Sequence, residues 1–156
     1  MNYLDCINEN EIDKQFFEMN RIKVDNIDDI FKGAGKILKA SQEWEYKFKR
    51  LCKKFEIELK DNSSSTLGAM NKKLLENEII EQKEFETLNK VITIRNEFTH
   101  KYFLDNSSFG KWSYPLEEVS HKLTAILYLI NESNDWISNK IDDSFRPNLL
   151  NKINKK

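Results

Sequence analysis

The sequence predicts an all-α bundle of four or five helices, and three observations carry that reading. Pro115 and Pro147 are the only prolines, so the first 114 residues contain none of the residue that removes a helical N–H donor. Lys, Glu, Leu and Ile are plentiful and Gly is scarce, as in helix-forming chains. Apolar residues recur at three-and-four spacing over long stretches, the period of one buried helix face.

Taken in order, Ile7, Ile12, Phe16 and Phe17 suggest a short first helix with weak patterning. The stripe Ile27, Ile30, Phe31, Ala34, Ile37, Leu38, Ser41, Trp44, Phe48, Leu51, Cys52, Phe55 and Leu59 predicts one long helix. Asp25 or Asn26 can cap it, and Asp28 and Asp29 suit its positive end. Gly33 and Gly35 weaken its second turn and predict a bend or a later start. The polar run from Asp61 to Ser65 breaks the pattern and can cap a short helix ending near Asn77. Another helix is expected over about 81–103, on Phe85, Leu88, Val91, Ile92, Phe98, Tyr102 and Phe103. Asn106, Ser107, Ser108 and Gly110 then read as a loop over 104–114. Pro115 fits the first turn of a last helix whose stripe runs from Leu116 to Ile141. The expected organisation is a helical segment over 1–24, the bundle over 25–142 and a polar tail over 143–156.

Composition excludes several classes of function. A chain of 156 residues suits one domain. A net charge of −1 argues against a nucleic-acid coat protein, and no DNA partner is implied. Cys6 and Cys52 are too few for a disulfide scaffold and fit a reducing compartment. His100 and His121 leave little material for a zinc site, so neither metal nor cofactor is expected. There is no apolar run near eighteen residues, and Asp5, Asn8, Glu9 and Glu11 interrupt the N-terminus, so the expectation is a soluble, cytoplasmic protein without membrane contact.

Chemistry concentrates in one segment of the third major helix, from Thr93 to Phe103. At 100° per residue, Arg95 falls inside the apolar stripe between Leu88, Ile92 and Tyr102. Only four of the 25 basic residues are Arg, and one of them stands here. A guanidinium in a dry core is costly unless it is paired or faces a cleft. Asn96 and His100 lie one turn apart at the edge of that stripe. Arg95 and His100 are about 140° apart on an ideal helix, so one phosphate meets both only through a bend, a long reach by Arg95, or a second subunit. A two-fold axis near this helix would bring two His and two Arg to one cleft. Such a group suits RNA cleavage without metal, the imidazole moving protons near neutrality and the guanidinium stabilising charge on phosphorus.

Arg95-Asn96-x3-His100-x-Tyr102 resembles the R-x4-6-H signature of HEPN domains, which are themselves all-α bundles. The resemblance spans roughly 25–142, with its specific content in that one segment. It implies a metal-independent endoribonuclease of toxin–antitoxin or abortive-infection defence, acting on RNA as a homodimer joined through or near the motif helix. Arg95 and His100 would then be catalytic and Asn96 would orient them. The added Tyr102 is the form seen where a nucleotidyltransferase-type antitoxin silences the toxin by nucleotide transfer to that tyrosine. Glu97 departs from the pattern by bringing negative charge toward the phosphate site.

Two rival readings stay open. One is a catalytically inactive HEPN-fold module that binds nucleotide, RNA or protein. The other is an unrelated helical adaptor in which Arg95 pairs with a Glu of a neighbouring helix. Lys101 and Lys111 flank the cleft, and Lys47, Arg50 and Lys54 share one face of the long helix, so these five are secondary RNA-backbone candidates. His121 reads as an exposed structural residue, and Trp112 and Tyr114 as anchors of their loop. Gly33-Ala34-Gly35-Lys36 lacks the spacing and the hydroxyl of a phosphate-binding loop.

Overall fold

The computed structural model describes residues 14–59, 66–99, 107–108, 111–112 and 115–143. Five helices make the bundle among them: α1 (Lys14–Asn20), α2 (Ile27–Lys54), α3 (Leu67–Glu76), α4 (Gln82–Glu97) and α5 (Leu116–Asp143). No helix of the described residues is long and apolar enough to cross a membrane. The segment expected to be a plain loop carries two short strands, β1 (Ser107–Ser108) and β2 (Lys111–Trp112). They pair antiparallel, Ser107 opposite Trp112 and Ser108 opposite Lys111.

The bundle is organised on α2 and α5, which run parallel and side by side. Near their N-terminal ends Gly33 faces Leu123, and near their C-terminal ends the Lys54 ammonium donates to the Ile141 carbonyl. α4 runs antiparallel to both: its first turn meets the last turns of α5 through Glu84 and Lys140, 4.0 Å apart, and its last turn meets the middle of α2. α3 packs at the first half of α4, where the Asn71 amide donates to the Phe85 carbonyl at 3.1 Å. Trp44, Phe48, Leu51, Met70, Leu74, Phe98, Leu123, Ile126 and Ile130 are fully buried where these helices meet. Trp44 and Phe48 touch edge to face, ring centroids 5.4 Å apart.

The helix ends follow local chemistry. Asn26 caps α2 by accepting from the Asp29 N–H at 3.0 Å, and Asp29 accepts in turn from the Asp25 N–H at 2.9 Å. Thr66 caps α3, one residue beyond the expected polar run. The Glu81 N–H donates to Glu84 at 2.9 Å at the start of α4. α2 stops at Lys54, earlier than its apolar stripe suggests, because Glu56 turns left-handed at φ 57°. The Ile57 N–H then bonds the Cys52 carbonyl and the Glu56 N–H bonds that of Lys53, closing the helix as a Schellman motif. Glu78, at φ 58°, closes α3 in the same way through Ile79 and Leu74.

The glycine pair does not delay or interrupt α2. Gly33 is buried, and a Cβ there would stand 2.7 Å from Ile22 and 3.1 Å from Leu123. The missing side chain lets the segment 21–24 and α5 approach the helix backbone. Ile22 and Val24 are buried in the same core as the long helices. Ile22 is also tied to α5 by its backbone: its N–H donates to Thr124 Oγ1 at 3.0 Å and its carbonyl accepts from Ser120. Nothing lies within 4 Å of a Cβ at Gly35.

Candidate functional site

Arg95 occupies the last turn of α4 with its side chain one-fifth exposed, at the border between core and solvent. All three of its nitrogens are engaged. Nε donates to Ser41 Oγ at 2.6 Å, Nη1 to Asn96 Oδ1 at 2.8 Å, and Nη2 to Glu45 Oε2 at 3.4 Å. Ser41 and Glu45 are successive turns of α2 on one face, so the contact forms wherever the end of α4 meets the middle of α2. Ser41 is 1% exposed, a hydroxyl within an apolar stripe that gives the guanidinium a polar landing place. The other carboxylate oxygen of Glu45 lies 3.6 Å from the Lys49 ammonium.

Beyond Glu97 the backbone takes a π-type form at Phe98 and Thr99, with Phe98 buried and Thr99 exposed. The Phe98 N–H is shared between the Ile94 and Arg95 carbonyls, and the Arg95 carbonyl also accepts from Thr99 Oγ1 at 2.9 Å.

The expected site residues divide into three groups. Arg95 and Asn96 are brought together on α4, joined by a hydrogen bond. His100, Lys101 and Tyr102 lie outside the described residues, as does Tyr114; Lys111 and Trp112 are described only as backbone of β2. Lys47, Arg50 and Lys54 are not brought to Arg95, since they lie roughly 140–200° around α2 from Glu45. Of these, Lys47 is half-buried, Arg50 is exposed, and Lys54 bonds the end of α5. Glu97 is half-buried beside Asn96, and His121 is half-buried on α5 where exposure was expected. The sequence reading anticipated a Glu from a neighbouring helix without identifying Glu45, and it missed Ser41 as a partner. The available signal was a lone hydroxyl on the inward stripe of α2, half a bundle away from the motif.

A cleft of about 350 Å³ between α4 and α5 is lined chiefly by Leu88, Val91, Leu129 and Trp136 and does not include Arg95. Among the described residues no group of three or more His, Cys, Asp or Glu side chains is arranged to hold a metal ion. Comparison with known proteins yields no match to any family model, curated protein or solved structure.

Proposed function

We propose that the chain is a metal-independent endoribonuclease of HEPN type, acting in the cytoplasm in toxin–antitoxin or defence systems. The observation that carries it is the Arg95 guanidinium, held by Ser41 and Asn96 at the border of the core. A fixed, partly desolvated guanidinium is suited to charge developing on a phosphodiester. Convergence of Arg95 and His100 on one phosphate would come from a long reach by Arg95 or from a second copy of the chain.

In this reading His100 removes the proton of a ribose 2′-hydroxyl. The freed oxygen attacks the adjacent phosphorus and forms a 2′,3′-cyclic phosphate. The P–O5′ bond breaks, and the 5′-oxygen leaves with a proton from an imidazole, His100 of the same or of a second copy. Asn96 orients the guanidinium, and a homodimer joined near the motif helix would pool both sets. Tyr102 is the proposed acceptor for a silencing nucleotide transfer. Lys101 and Lys111, near the motif in sequence, are the preferred secondary backbone contacts in this proposal.

Incubating the purified protein with RNA in EDTA tests the proposal. Products ending in cyclic phosphate that disappear in His100→Ala are expected. Cleavage untouched by that substitution, or no cleavage of any RNA, would sink it. The Glu45 carboxylate on Arg95 favours a second reading, a non-catalytic helical module in which the pair only joins α4 to α2. That reading expects RNA to be intact, and Arg95→Ala to act on stability alone.

A further inference from the structure

The three contacts of the Arg95 guanidinium are unequal. Those to Ser41 and Asn96 are short, while the one to Glu45 stretches to 3.4 Å, the loose end of hydrogen bonding. A carboxylate built to pair with arginine approaches both nitrogens of the fork at about 2.7–2.9 Å. Glu45 instead reaches Arg95 through one oxygen, leans on Lys49 with the other, and has a side chain one-third exposed. It is an anion resting between two cations at the protein surface.

We propose that Glu45 is an internal stand-in for a substrate phosphate. It neutralises Arg95 in the free protein and gives up Nη2 to an entering phosphodiester, swinging onto Lys49. This rests on the reading of Arg95 as the phosphate-binding group. Carboxylate and phosphate present similar acceptor geometry to a guanidinium, so one displaces the other without rebuilding the site. Ser41 and Asn96 keep their hydrogen bonds throughout and hold the plane of the group. A side-chain rotation at a helix surface takes picoseconds to nanoseconds, so the exchange adds no slow step. Glu45 therefore limits affinity for anions in the free protein, while Ser41 and Asn96 hold the guanidinium in place.

Fluorescence anisotropy with a fully 2′-O-methylated RNA oligonucleotide, which lacks the attacking hydroxyl, measures the exchange. Glu45→Gln should tighten binding roughly tenfold at low salt and leave the melting temperature nearly unchanged. In an Arg95→Ala background the same substitution should give no gain, because the carboxylate then has nothing to release. Unchanged or weaker binding in Glu45→Gln overturns the proposal, as does an equal gain in both backgrounds, which would mean general repulsion of RNA. The site reading is scored separately by Arg95→Ala in the wild-type background. Loss of binding there, with Glu45→Gln neutral, removes the stand-in and keeps the site; no loss removes both.

Discussion

Two small residues on the inward face of α2, Gly33 and Ser41, make room for opposite things. At Gly33 the absent side chain admits Ile22 and Leu123, and the polar backbone of Ile22 is paired with hydroxyls of α5. At Ser41, about two turns further along, a hydroxyl admits the guanidinium of Arg95. The first contact is dry and set by volume, as close-packed interiors require. The second keeps a cation at the edge of the core, where a well-packed apolar residue would serve stability as well or better. Helix packing alone accounts for Gly33, whereas Arg95 joins α4 to α2 by polar contacts that the proposed phosphate chemistry would also use.

The comparison can be broken most forcefully at Gly33. Gly33→Val, which drives methyl groups into Ile22 and Leu123, should destabilise the protein by about 1–3 kcal/mol in denaturant unfolding. Ser41→Ala should cost about 1 kcal/mol or somewhat more, by leaving a half-buried donor of Arg95 unmet, and should slow RNA cleavage at saturating substrate. Were Ser41→Ala to lower stability with cleavage unaffected, the two contacts would be alike after all. Gly35→Ala should do the reverse of Gly33→Val, raising stability by about 0.5–1 kcal/mol, since its position is exposed and open. A pH-dependent effect of similar size concerns Cys52, whose thiol is pushed up from 9.0 to about 11 by burial, with Lys73 pulling the other way. The thiol contribution is full below pH 9, where the unfolded chain also keeps its proton, and is lost as pH rises toward 11. Between about pH 8 and pH 10, wild type should therefore lose about 1 kcal/mol more stability than Cys52→Ala in paired unfolding curves.

Much of the bundle was legible because its signals are local. Three-and-four spacing located the long helices, and Asn26 capped α2 as its composition suggested. Gly33 misled because a helix-weakening residue and a close-approach residue look alike in sequence; Ile22 and Leu123, which decide between them, are remote along the chain. The end of α2 was overrun because a left-handed Glu56 carries no glycine to mark it. At the site, Arg95 and Asn96 were legible as a pair by adjacency and position on the stripe. Ser41 and Glu45 were not, since only the packing of α4 across α2 brings residues 50 and 54 positions from Arg95 into contact with it. The π-type turn at Phe98 and Thr99 has no composition signature at all.

The central claim is that Arg95 is kept for phosphate chemistry and not for holding α4 to α2. Measuring RNA cleavage and unfolding free energy on the same preparation of Arg95→Ala tests it most directly. A fall in cleavage of about a hundredfold or more, with no more than about 2 kcal/mol lost in stability, is the predicted result for a partly exposed group with modest hydrogen bonds and a transition-state contact. A stability loss of several kcal/mol with cleavage by the folded fraction unchanged would contradict it.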